Sequence, residues 1–193
     1  MSTKLILASS SPNRKALLER LHLDFECHAP DIDETRHDDE SASEYVRRLA
    51  KHKALAISDK HNDAVIIGSD QCALLDEQIL GKPGDYENAL KQLKAAQGKT
   101  VVFHTGVCVM HAADDFIEVD DIEYSVEFRH LSDQQLSHYL QREQPYQCAG
   151  SIKSEGYAAC LFSKMHGDDP TALVGLPLIR LIAMLENAGV AIV

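Results

Sequence analysis

Four cations and two acids in this 193-residue chain stand where they could converge on an anion. Arg14 follows Ser9-Ser10-Ser11-Pro12, a serine-rich turn that reads as a strand running into a helix. Free backbone N–H groups at a helix N-terminus, with hydroxyl donors beside them, bind phosphate. An arginine adds a forked cation. Arg14, Leu17, Leu18 and Leu21 fall at helical spacing, so Arg14 shares the apolar stripe. Lys53 lies inside the stripe of Val46, Leu49, Ala50, Ala54 and Ile57, whereas Arg47, Arg48 and Lys51 fall off it and read as solvated charges. An inward-facing lysine is costly unless it is paired or serves an anion. Asp70 stands just beyond the run Ile66-Ile67-Gly68-Ser69, where open α/β sheets place ligand chemistry. There it could bind a divalent cation or take a proton from water. Glu34 ends the acidic loop Asp31-Ile32-Asp33-Glu34, and Lys82 is held between Gly81 and Pro83. In Cys148-Ala149-Gly150-Ser151-Ile152-Lys153-Ser154-Glu155-Gly156, an extended chain would put Ser151, Lys153 and Glu155 on one face. Cations that clamp phosphates and carboxylates that hold Mg²⁺ are the parts of phosphoryl chemistry. Each segment also has a plain reading: a capped helix with a snorkelling arginine, a lysine at the rim of a face, a turn, an edge strand. The Walker spacing is absent.

The elements that must position these residues alternate. Residues 4–8 read as a short buried strand. Ser11 caps a helix over 12–22, with Pro12 at its first position. Residues 23–28 could form a second strand, and a helix follows over 42–58. A strand covers 64–68, with another strand or hairpin over 72–80. A third helix spans 86–96 and ends at Gly98. Residues 100–110 and 117–128 alternate as paired strands. Ser132 caps a helix to about 142, residues 162–165 form a short strand, and 177–188 form a closing helix. This is an α/β protein with a mixed sheet, and no linker or repeat interrupts residues 1–193.

With 19 basic and 30 acidic residues the formal charge is −11. That argues against broad nucleic-acid binding, which needs a basic face. At 45% apolar and 25% charged residues, the composition is that of an ordinary globular protein rather than a disordered one. Residues 5–8 are too short for a signal-peptide core, and Pro177 and Arg180 interrupt the apolar stretch 173–185, so no membrane segment is expected. Five widely spaced cysteines without C-x-x-C read as free thiols of a reducing cytoplasm. Ten histidines occur without H-E-x-x-H.

As a set, six segments resemble the Maf family of nucleoside triphosphate pyrophosphatases. They are Leu7-Ala8-Ser9-Ser10-Ser11-Pro12 with Arg14, Asp31-Ile32-Asp33-Glu34, Lys53-Ala54, Gly68-Ser69-Asp70-Gln71, Ile79-Leu80-Gly81-Lys82-Pro83 and Val174-Gly175-Leu176-Pro177. The resemblance implies an ITPase-like α/β fold, an elongated mixed sheet with flanking helices forming two lobes around a central cleft. It implies a cytoplasmic, homodimeric enzyme that takes a nucleoside triphosphate with a divalent cation, Mg²⁺ or Mn²⁺. Asp70 would be the proton acceptor, acting with Lys53, Lys82 and Glu34, and Asp70 and Glu34 would hold the metal. Ser9, Ser11, Arg14 and Lys153 would bind the substrate, and Asn13, Gln71 and Glu155 would stand at specificity positions. Gln71 and the segment around Glu155 resemble the branch that hydrolyses 7-methyl-GTP, a house-cleaning activity that keeps modified nucleotides out of nucleic acids. N7-methylation makes guanine cationic, so a carboxylate beside it favours the methylated base. Asn13 departs from that branch, where a larger residue, often tryptophan, is expected. The alternatives are a dTTP/UTP-type pyrophosphatase of the same family and a non-catalytic nucleotide-binding regulator of septum formation and cell-division arrest.

Overall fold

The structure, a computed structural model, describes residues 4–192. Seven strands are β1 (Lys4–Ala8), β2 (Glu26–Cys27), β3 (Ala64–Leu75), β4 (Gln78–Leu80), β5 (Thr100–His111), β6 (Phe116–Phe128) and β7 (Phe162–His166). They form one mixed sheet in the order β2-β1-β3-β5-β6-β7, with β4 paired to β3. β1 runs parallel to both β2 and β3, in a register that sets Ala8 opposite Gly68. Six helices accompany them: α1 (Pro12–Glu19), α2 (Ala42–Ser58), α3 (Tyr86–Ala96), α4 (Asp133–Glu143), α5 (Pro170–Val174) and α6 (Leu178–Asn187). The fold class is the expected α/β class.

Two compact units divide the chain. One takes the described residues up to Gln71, then Thr105–Ile122 and the described residues from Asp169 on; the other takes Cys72–His104 and Glu123–Asp168. Strands β3, β5 and β6 each pass from one unit into the other.

In the first unit, β1 and the start of β3 are buried on both faces, which explains their unbroken apolar sequence. Leu5, Leu7, Val65 and Ile67 pack against Leu17 and Leu18 of α1 and Leu181, Met184 and Leu185 of α6. Ile6 and Ile66, on the opposite face, pack against Ala50, Ala54 and Ile57 of α2. Helix α2 begins in a reciprocal capping box, with Ser41 accepting from the Glu44 amide and the Glu44 side chain accepting from the Ser41 amide. Two glycines seat it. A Cβ on Gly68 would lie 2.0 Å from the Ala50 carbonyl oxygen, and one on Gly106 would lie 2.2 Å from that of Val46.

In the second unit, Ala89, Leu93 and Ala96 of α3 and Leu136, Tyr139 and Leu140 of α4 are buried. Lys94 of α3 pairs with Asp133 of α4 at 2.8 Å.

Several expectations need correcting. Helix α1 stops at Glu19, and His22 takes a left-handed φ of 55°. The second strand shrinks to Glu26–Cys27. β3 does not end at Gly68 but continues to Leu75, so Asp70 and Gln71 lie inside a strand. Helix α5 was not expected; Asp169 caps it by accepting from the Thr171 amide at 2.9 Å. Residues 148–156 are not extended. Gly150 and Ser151 have φ values of 63° and 61° within a tight helical turn at Ala149–Ser151, so the alternation of Ser151, Lys153 and Glu155 on one face does not exist.

None of the five cysteines forms a disulfide among the described residues, and burial pushes the Cys108 thiol up to about 12. Among the described residues no helix is long and apolar enough to cross a membrane.

Candidate active site

Helical phase turns Lys53 inward, and the structure gives it two partners. Its ammonium donates to Asp70 Oδ1 at 2.5 Å and lies 2.7 Å from Glu34 Oε1. Lys53 is 7% exposed and Asp70 8%. Burying one charge alone would be prohibitive, and the ion pair with hydrogen bonding is what makes the arrangement tenable. With Lys53 charged and both carboxylates ionised, the trio carries one net negative charge. Strand alternation places Asp70 on the α2 side of β3, with Ile66 and Gly68.

Ser69 and Gln71 point to the other side. The Ser69 hydroxyl donates to the Gly175 carbonyl at 3.0 Å, and Arg14 Nε donates to the same oxygen at 2.8 Å. Gly175 holds φ 117°, a left-handed value that favours glycine, at the end of α5. Burial lowers the Arg14 pKa below its ordinary value, and the Asp70 and Glu34 carboxylates oppose that shift. The Ser11 hydroxyl caps α1 by accepting from the Arg14 amide at 3.4 Å, and Ser9 Oγ accepts from the Ser11 amide at 3.1 Å. Asn13 is partly buried in the first turn of the same helix. The Gln71 amide donates to the Ala172 and Leu173 carbonyls at 2.7 and 3.1 Å and to Thr105 Oγ1 at 3.1 Å. Its orientation is thereby fixed, since a flipped amide would set oxygen against carbonyl oxygens.

Glu34, Lys53 and Asp70 thus meet in the first unit, which also holds Ser9, Ser11, Asn13, Arg14 and Gln71. Lys82, Lys153 and Glu155 belong to the second unit. Lys82 is exposed in the loop between β4 and α3, where the Gly81 carbonyl accepts from Gln92 Nε2 at 3.1 Å. Ser151 is buried, donating to Gln92 Oε1 at 2.6 Å. The Tyr139 hydroxyl donates to the Ser151 carbonyl at 3.2 Å and accepts from the Lys153 amide at 3.1 Å, which wraps the segment around one ring. Lys153 Nζ stands 3.5 Å from Glu143, and Glu155 is exposed.

Sequence reasoning missed Thr105 and, though it singled out the segments that hold Ser69 and Gly175, gave those two residues no role, since their partners are distant in sequence. It also misread Arg48. That side chain is not a solvated charge; it makes a two-pronged ion pair with Glu40, one prong at 2.8 Å. The pair drives the Glu40 carboxyl from 4.5 down to about 2. Because the folded value is depressed, the pair's contribution is complete above the ordinary 4.5 and is lost as pH falls through about 2. A ¹³C titration of the Glu40 carboxyl should show its midpoint near 2; a midpoint near 4.5 would mean an open pair in solution.

The donor set of the trio bears on metal binding. Glu34 and Asp70 offer hard carboxylate oxygens, the donor type that suits divalent cations such as Mg²⁺ and Mn²⁺. Both converge on a cationic group, Lys53 Nζ, so the place already favours positive charge.

Residues 4–188 match the family model described as Maf-like protein, and the span contains every site residue above. The chain belongs to the Maf family. Among curated relatives, it is 54% identical over 185 residues to the 7-methyl-GTP pyrophosphatase of Nitrosococcus oceani, covering 96% of this chain and 93% of that protein. It is 50% identical over 188 residues to the 7-methyl-GTP pyrophosphatase of Pseudomonas syringae, covering 97% and 98%. The like-named protein of Alcanivorax borkumensis is 51% identical over 186 residues, covering 96% and 94%.

Proposed function

We propose that this chain is a nucleoside triphosphate pyrophosphatase that hydrolyses 7-methyl-GTP to 7-methyl-GMP and diphosphate. The reaction class rests on one observation, the buried lysine shared by two carboxylates beside an anchored arginine. The substrate rests on the relatives of that name, at least 50% identical over nearly the whole chain.

In this reading Arg14, held at Nε by Gly175, uses its terminal nitrogens on phosphate oxygens. Ser9 and Ser11 line the same turn. Asp70 takes the proton of a water molecule as its oxygen bonds to the α-phosphorus; the bond from that phosphorus to the bridging oxygen breaks and diphosphate leaves. Lys53 orients Asp70, and Lys82 and Lys153 neutralise phosphate charge. Glu155 attracts the cationic methylated ring, and Asn13 and Gln71 complete base selection. A divalent cation, Mg²⁺ or Mn²⁺, held by Asp70 and Glu34 would supply positive charge for the polyphosphate and make bound water more acidic. The enzyme would work in the cytoplasm as a homodimer.

The test is diphosphate release from 7-methyl-GTP, GTP, UTP, dTTP, CTP and ATP, each with Mg²⁺, Mn²⁺ or EDTA. Cation-dependent preference for 7-methyl-GTP is the expected result. Preference for UTP or dTTP would keep the reaction and overturn the substrate. Binding of 7-methyl-GTP without turnover of any triphosphate would make the chain a binder.

A further inference from the structure

The segment between β2 and α2 carries Glu34, yet little apolar packing holds it. Residues 33–39 are exposed, and two open hollows of about 710 and 440 Å³ flank the segment. His37 and Arg48 line both. What fixes the segment is polar, and it comes largely from α2. The Tyr45 hydroxyl donates to the Glu34 carbonyl at 2.9 Å. Arg48 Nη2 donates to the Thr35 carbonyl at 3.0 Å, one residue further on. The same guanidinium grips the Glu40 carboxylate, which also accepts from the His37 amide at 3.0 Å. The Arg48 guanidinium lies 5.7 Å from the centre of the Tyr45 ring. Lys53 belongs to that helix too. Both members of the Glu34–Lys53 pair therefore hang on α2, one directly and the other through this clamp.

We propose that Arg48, acting through Glu40 and the Thr35 carbonyl and joined by Tyr45, is the positioning residue that holds the Glu34 carboxylate against Lys53. The proposal rests on Glu34 serving the reaction proposed above. It gives Arg48 a role without contact to substrate: it sets where the second carboxylate of the site stands. A planar, forked guanidinium takes both oxygens of the Glu40 carboxylate and still reaches the Thr35 carbonyl, a geometry that the compact ammonium of a lysine does not reproduce.

The test is a mutant cycle with a structural readout beside it. Arg48→Met and Glu40→Gln should each lower kcat/KM by about 10- to 100-fold, the usual cost of losing a group that orients a site ligand. Arg48→Lys should lose nearly as much. In Glu34→Gln background, adding Arg48→Met should cost nothing further, because the residue it positions is already disabled. Losses that multiply instead would overturn the proposal. Hydrogen exchange should speed up at the Thr35 and His37 amides in Arg48→Met while α2 stays protected; unchanged exchange there would also overturn it. If Arg48→Met fails to fold, Glu40→Gln breaks the clamp from the loop side and carries the same cycle. If the wild-type chain cleaves no triphosphate, the pyrophosphatase reading falls, and exchange at those two amides decides the clamp alone.

Discussion

Asp70→Asn should lower turnover of 7-methyl-GTP by about 10³-fold, within the 10²–10⁴ a positioned proton acceptor contributes. That is about 4 kcal/mol of transition-state stabilisation. The fold should survive. An asparagine side chain has the same shape, and its oxygen can still accept from the Lys53 ammonium that now donates to Asp70 at 2.5 Å. Glu34, 2.7 Å from the same nitrogen, remains to balance the charge. Single-turnover diphosphate release beside a thermal melt separates the two effects. A variant that melts like wild type and turns over within a few-fold of it would remove Asp70 as the proton acceptor.

Gly68→Ala should cost about 3 kcal/mol of stability or more. The added carbon would lie 2.0 Å from the Ala50 carbonyl oxygen and 3.0 Å from the Ala54 amide nitrogen. Those are backbone atoms of α2, so no side chain can swing aside and the helix itself must lift. Lys53 rides on that helix, so activity should fall with stability. Gly106→Ala should behave alike, since its carbon would meet the Val46 carbonyl at 2.2 Å. Gly81→Ala is the control, with nothing within 4 Å of the added carbon. Urea unfolding of the three variants checks this; a Gly68→Ala protein as stable as Gly81→Ala would mean that α2 is not seated on the strand backbone.

The parts legible in the sequence were those specified locally. The α2 and α3 bounds followed from the apolar period and, for α3, from Gly98, and the structure keeps them, with Ser41 and Asp85 as their caps. Lys53 was legible because helical phase alone turns it inward. What escaped depends on partners far along the chain. Ser69, Asp70 and Gln71 look like the end of a strand because polar residues break the apolar run. They continue it because Gly175, Lys53 and the α5 carbonyls satisfy them. Arg48 looked solvated because its partner Glu40 lies outside any periodic element. The turn at Ser151 was hidden because a non-glycine residue at φ 61° leaves no mark on an alternating pattern, and the Tyr139 hydroxyl that gathers the segment is a tertiary contact. Helix α5, five residues long, is too short to show a period.

The Gly175 carbonyl also bears on how the site comes into being. It joins Arg14 across 161 residues and Ser69 across 106. Closures that long cost chain entropy before any contact repays it, whereas a capped helix such as α2 forms from its neighbours. On the ribosome the N-terminal segments emerge first. A growing chain therefore exposes Arg14, Glu34, Lys53 and Asp70 well before it can make the oxygen that anchors the arginine. Competence arrives with the segment around Gly175, and a nascent chain stalled short of it holds most of the site's charged groups without the lock that aims Arg14.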